Sequence, residues 1–207
     1  MSNYSELPTP EVLKQTADAV TARGIKVHVM EDEAAALSLV RSLIPGGATV
    51  MTAGSVTLKQ IGLEELLKTG THPWRNLRAE ILAEKDPVQQ SALRKQGTLA
   101  EYYLGSVQAI SVTGEIVVAS ATGSQLSPYA YSSSNIIWIA GAQKIVPTIE
   151  EALRRTREYA LPLEDQRMKN VGMKVGSFIG KLLIIEREAA YLRRNVNLIL
   201  INKVLGF

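Results

Sequence analysis

The 207-residue chain contains no cysteine. That excludes disulfides, thiolate nucleophiles, cysteine zinc sites and any iron–sulfur cluster held by this chain's own thiols, and it fits a reducing compartment. Histidine is nearly as scarce. His28 and His72 are the only two, and neither is spaced with carboxylates as in His-Glu-x-x-His, so no metal centre is expected. An excess of one charge is also missing: 23 Lys and Arg against 20 Asp and Glu leave a net +3. The basic residues are scattered apart from Arg154-Arg155 and Arg193-Arg194, and aromatics, at 5%, do not interleave with a basic run. Nucleic acid is therefore not an expected partner, and both arginine pairs are expected on solvated faces. No apolar run approaches the roughly 18 residues that span a bilayer. No basic start leads into an apolar core, so no signal peptide and no membrane partner are expected, and the expected location is cytoplasmic. Gly-x-Ser-x-Gly, the P-loop and the dinucleotide fingerprint are absent as well, and hydrolase and metalloenzyme readings leave the front rank.

What is present reads as one globular α/β domain over 1–207, with 46% hydrophobic and 21% charged residues. Thr9-Pro10-Glu11 starts a helix that Gly24 stops (about 9–23). Ile25 to Met30 reads as a strand, Asp32 to Leu43 as a helix and Ala48 to Thr52 as a strand. This alternation predicts a mainly parallel sheet flanked by helices. Glu64 to Gly105 reads as mostly helical, broken by Pro73 and by the Asp86-Pro87 helix start. Thr148 to Glu151 forms a capping box for a helix reaching about Tyr159. The apolar runs Leu182–Ile185 and Val196–Ile201 are expected to add strands to the sheet. Gly172, Gly176 and Gly180, spaced by four, mark either a close-packed helix or a loop.

The densest information lies in AISVTGEIVVASATGSQLSPYAYSSSNIIWIAGAQKIVP, residues 109–147. Apolar strands alternate there with small, hydroxylated turns, and in open parallel sheets ligands bind beyond the carboxyl ends of strands. Four turns are candidate sites. Gly54-Ser55 follows a strand, and Thr57 with Gln60 reads as a Thr-x-x-Gln capping box whose first amides could receive an anion. In Thr113-Gly114-Glu115, Glu115 is either a candidate catalytic carboxylate or a solvated residue after a hairpin turn. Thr122-Gly123-Ser124 is either a ligand loop or a plain turn, with Tyr129 and Tyr131 close behind as pocket walls or packing. Lys144 is either a point charge for a carboxylate or phosphate, or one more surface lysine.

The segments MTAGSVTLKQIGL, SVQAISVTGEIVVASATGSQ and IIWIAGAQKIVPTIEEALRRTREYALPLED, with the terminal LGF, resemble the LUD domain, the lactate-utilisation protein family, over roughly Lys14 to Phe207. The resemblance implies the NagB/RpiA/CoA-transferase-like fold. It also implies a small-anion-binding subunit linked to lactate or organic-acid utilisation, acting alongside iron–sulfur oxidoreductase subunits and able to form a homo-oligomer. In CoA transferases of that fold a glutamate carries the acyl-CoA intermediate, which is a second reason to watch Glu115. Some relatives carry cysteines near the 172–180 glycines, and this chain departs from them. A stand-alone enzyme on sugar phosphate, acyl-CoA or folate-type substrates, and a non-enzymatic assembly protein, stay open beside the first reading.

Overall fold

The computed structural model describes residues 4–207, so the first three positions of the expected 1–207 domain lie outside the described residues. Helix α1 (Pro10–Ala22) begins where the Thr9 hydroxyl accepts the Val12 N–H, with Pro10 in the first turn, and buries Leu13, Thr16 and Val20. Gly24, at φ +86°, turns the chain into β1 (Lys26–Met30). Asp32 caps α2 (Glu33–Leu43), which leads to β2 (Thr49–Thr52). Two short helices follow, α3 (Val56–Gln60) and α4 (Leu63–Thr69), then β3 (Arg75–Asn76), α5 (Leu77–Ala83) and α6 (Pro87–Gln96), the last capped by Asp86.

Strand β4 (Tyr102–Gly105) then appears in a stretch expected to be helical. Four residues are too few to display a period, but Tyr103 to Gly105 are buried and the strand pairs on both edges. Strands β5 (Ala109–Ser111) and β6 (Ile116–Ser120) are joined by the expected Thr-Gly turn, with Gly114 at φ +96°. Next come β7 (Asn135–Gly141), β8 (Ile145–Val146) and α7 (Ile149–Arg155). The helix does not stop at Tyr159. It widens into one π-helical turn (Thr156–Ala160) and runs on as α8 (Leu161–Asn170). A loop leads to β9 (Lys181–Ile185), and β10 (Asn195–Ile201) follows. Gly172 and Gly176 lie in that loop at φ +92° and +69°, so no glycine-striped helix forms.

The main sheet is parallel throughout, in the order β1-β10-β7-β4-β2-β3. Side chains alternate across it as a period of two requires. Ile136, Trp138, Leu198 and Leu200 face one core with α1, while Ile137, Ile139, Ile199 and Ile201 face the other with α2. Of the two late apolar runs expected to add strands to the sheet, Val196–Ile201 does so and Leu182–Ile185 does not. Strand β10 is inserted in the middle, between β1 and β7, and is buried from Val196 to Ile201, as a two-sided parallel strand must be. Strand β9 instead closes a second, four-stranded sheet, β8-β5-β6-β9, in which β6 runs antiparallel to both neighbours. One face of the second sheet joins the first core through Ile110, Ile116 and Val118. Its other face carries Ala109, Val117 and Val146 against Ala152 of α7.

The arginine pairs are not both solvated. Residues one apart on a helix point about 100° apart, so a helix buried on one side separates them. Arg154 stays outside in an ion pair with Glu151, whereas Arg155 is 0% exposed. The Arg155 guanidinium sits over the rings of Tyr4 and Tyr159, 5.8 and 5.0 Å from their centroids, and donates to the Gln108 carbonyl. Burial lowers its pKa to about 10. Arg194 is likewise drawn in, donating to the carbonyls of Pro128, Tyr129 and Ser133.

Candidate functional site

Strands β2, β4 and β7 are neighbours and parallel, so their carboxyl ends share one edge. The turns leaving them are Ala53-Gly54-Ser55, Ser106-Val107 and Ala142 to Lys144. Together they border a cavity of about 480 Å³. Residues of helix α8, the loop after it and the Gly206-Phe207 segment complete its lining.

Lys144 is the electrostatic centre of this edge. It is 1% exposed, so it is not the surface lysine of the bland expectation. Its Nζ donates to Ser106 Oγ at 3.0 Å, the Val107 carbonyl at 3.1 Å and Thr57 Oγ1 at 3.2 Å. These partners are neutral, and among the described residues no carboxylate forms an ion pair with it. Burial, reinforced by the charge of Arg155, holds its pKa well below the usual lysine value.

The backbone around the cage is fixed by polar clamps. Gln143 binds the Leu205 backbone from both ends of its carboxamide, 2.8 Å to the carbonyl and 3.2 Å from the N–H. Gln60 Oε1 accepts the Gly206 N–H at 2.6 Å. Gly206 sits at φ +61°, and a Cβ there would fall 2.3 Å from Thr57 Oγ1 and 3.4 Å from Lys144 Nζ. Only glycine lets the chain pass this close to the lysine.

The expected Thr57–Gln60 capping box does not form. Ser55 is the cap, accepting the Leu58 N–H, which leaves the Thr57 hydroxyl for Lys144 and the Gln60 amide for Gly206. Helix α3 is five residues long, so the electrostatics of this corner come from Lys144 rather than from a helix dipole.

Of the sequence candidates, Gly54, Ser55, Thr57, Thr122, Ser124 and Lys144 come together on the cavity. Gly123 is the hinge of the 122–124 turn, at φ +89° with its N–H on Ser120 Oγ, and is not itself on the lining. Thr113, Gly114 and Glu115 lie elsewhere. The Glu115 carboxylate is taken up by Arg23 and by the hydroxyls of Ser111 and Thr113. Arg23 also donates to the carbonyls of Thr113 and Glu186. This cluster ties the end of α1 to the β5–β6 turn. Burial pushes the Glu115 carboxyl up, but the two hydroxyls and Arg23 outweigh it and the net shift is downward. Tyr129 packs edge-on against Tyr103 and Trp138 in the core and Tyr131 is largely exposed, so neither walls the cavity.

The sequence reading did not single out Ser106, nor the wall formed by Met168, Met173, Phe178 and Phe207. Ser106 follows a strand that was itself missed. The wall did leave a signal, because Val-Gly-Met-Lys-Val-Gly-Ser-Phe places large apolar side chains in a glycine-rich loop, where solvated loops carry polar ones.

Fold and cavity together define an α/β protein with a ligand-sized site at the carboxyl ends of parallel strands. The chain belongs to the LUD domain family, whose model matches residues 13–179. No curated protein matches it. Among solved structures it is similar to a DUF162 family protein from Deinococcus radiodurans, at 13% identity and a TM-score of 0.53, over 95% of this chain and 98% of that one. A fainter likeness, to eIF2B beta from Chaetomium thermophilum, has 14% identity and a TM-score of 0.35 over 68% of this chain and 46% of that one. Among the described residues no helix is long and apolar enough to cross a membrane.

Proposed function

We propose that this LUD domain binds a small organic anion, a carboxylate or phosphate, at Lys144, as a subunit serving lactate or other organic-acid utilisation. The observation that carries this reading is a buried ammonium, lodged at a cavity, whose three donors meet only neutral oxygens. Burying a charge without a counter-charge is costly, and folds retain such a group where a ligand completes it. The hydroxyls of Ser106 and Thr57 add to the fit. Each accepts from the lysine, and their own donations, Ser106 to Thr57 Oγ1 and Thr57 to the Leu205 carbonyl, are long at 3.4 Å, so a ligand oxygen would compete for either hydrogen. Ser55, Thr122 and Ser124 supply further hydroxyls on the same cavity. The family's association with lactate utilisation supports an organic acid as the anion. With no cysteine in the chain, any cysteine-held iron–sulfur centre in such a system would belong to partner subunits.

The test is thermal unfolding with acetate, lactate and phosphate, on the native protein and on Lys144→Met. Ligand at about 100 times its dissociation constant adds roughly 2.7 kcal/mol, a rise of several degrees for a domain of this size. Stabilisation that disappears in Lys144→Met supports the reading. Equal stabilisation of both proteins, or of neither, ends it.

A further inference from the structure

The lining of the cavity carries two unlike groups of residues. Ser55, Thr57, Ser106 and Lys144 supply the polar part of its lining, and Met168, Met173 and Phe178, from α8 and the loop after it, with Phe207, supply the apolar part. Among the described residues the charged ones on the lining besides Lys144 are Glu164 and Arg167, and they are bound to each other by paired contacts of 2.6 and 2.7 Å. The apolar part therefore offers a ligand surface with little free charge beside it. That surface is also in water: Met173 is 49% exposed and Phe178 56%. Large apolar groups left wet on a concave wall gain from being covered, whereas scattered surface ones do not meet a common partner.

Size separates two kinds of occupant. The cavity, at about 480 Å³, falls in the roughly 300–1,000 Å³ range of small-molecule sites. At about 30 Å³ per water it has room for about sixteen water molecules. A three-carbon acid held at Lys144 would leave the apolar wall in water.

We infer that the ligand is an amphipathic organic anion: a carboxylate or phosphate head at Lys144 carrying an alkyl or aryl body that lies against Met168, Met173, Phe178 and Phe207. This rests on the anion-binding reading above and narrows it to acids larger than lactate.

The experiment is calorimetric titration of the native protein with the straight-chain carboxylates acetate, butyrate, hexanoate and octanoate at pH 7, with octanol as the neutral counterpart. Affinity is expected to climb along the series, at up to about fourfold per buried methylene, with an increasingly negative heat-capacity change. Octanoate is expected to bind at least tenfold more tightly than octanol. Phe178→Ala is expected to shrink the octanoate-to-acetate affinity ratio severalfold. Met173→Gln, which keeps the side-chain length, should do the same and guards against a folding artefact. If acetate binds and octanoate binds no better, the amphipathic ligand is wrong while the anion site stands. If octanol matches octanoate, the charged head is wrong. If none of the acids binds, this inference and the anion reading fall together.

Discussion

Ser106 Oγ and Lys144 Nζ meet at 3.0 Å from the ends of two adjacent parallel strands, β4 and β7. Neither residue is near the other in sequence, and the contact exists only because Gly105 and Trp138 are in register. With Thr57 and the Val107 carbonyl, Ser106 fills the three donor positions of the lysine with dipoles. Dipoles lessen the penalty of burying the charge without cancelling it. The cage is thus a folded-state liability that an anion relieves, and stability and binding are opposed at one residue.

Lys144→Met should expose that opposition. The methionine keeps most of the side-chain volume and removes the buried charge, while Val107 loses one donor. Replacing even a buried ion pair by well-packed apolar groups is often neutral or stabilising, and an ammonium met only by dipoles is less well compensated than a pair. The expected outcome is an unliganded protein at least as stable to urea as the parent, with acetate binding lost. A variant that unfolds more readily than the parent would mean that the cage contributes more than the burial costs.

Binding should also take up protons. Burial lowers the Lys144 pKa, and an anion beside the ammonium raises it again. At pH values between the two, each binding event draws protons from the buffer, approaching one per site. Below the free-site value the lysine is already charged and uptake vanishes; toward higher pH, affinity falls. Acetate, fully ionised above pH 6, is a clean probe. Its binding enthalpy measured in buffers of different ionisation heat gives the count directly. The same shift has a sign for stability. A lysine depressed on folding holds fewer protons folded than unfolded, so the unliganded protein loses stability as pH falls from the unfolded value, about 10.4, to the folded one.

Glu115→Gln is expected to weaken the fold and leave anion binding intact. The glutamate is held by Arg23, Ser111 and Thr113 and lies off the cavity. Losing the charge should cost about 1–3 kcal/mol at pH 7. Because the folded carboxyl pKa is lowered, its stabilisation is present above the unfolded value near 4.3 and is lost as pH falls through the folded one. The variant and the parent should therefore converge in acid denaturation midpoints. A large loss of acetate affinity in Glu115→Gln would return this carboxylate to the site.

The helix–strand alternation was legible wherever caps and periods were long enough to see. Thr9, Asp32, Asp86 and Thr148 each cap the helix their sequence announces. Strand β4 was not legible, because four residues carry no period and the stretch before it is helical. The placement of β9 and β10 was obscure for another reason. Both are short apolar runs, and only pairing decides which sheet receives them. The site was half readable. Gly54, Ser55 and Lys144 sit at strand ends, where the parallel topology gathers ligand groups. Glu115 sits at the end of a hairpin in the second sheet, and no local signal tells one sheet's turns from the other's.

Gly105 shows how closely core and cage are joined. A Cβ at this position would fall 1.7 Å from Tyr129 Oη, 3.0 Å from Tyr129 Cζ and 3.3 Å from Ala53 Cβ. Tyr129 is 1% exposed, and among the described residues its hydroxyl has no hydrogen-bond partner. Gly105→Ala must therefore displace either the ring or strand β4, and overpacking of this kind costs about 1–3 kcal/mol or more. Tyr129→Phe alone should be neutral or stabilising, since it removes an unsatisfied buried hydroxyl. In the double variant the hydroxyl clash is gone and only the approaches to the ring carbon at 3.0 Å and to Ala53 Cβ at 3.3 Å remain, so at least half of the lost stability should return. Ser106 follows Gly105 directly, so any strand movement reaches Lys144. Acetate affinity should fall in Gly105→Ala and recover with Tyr129→Phe. Strictly additive urea midpoints across the four proteins would mean that the two residues do not meet as the structure places them.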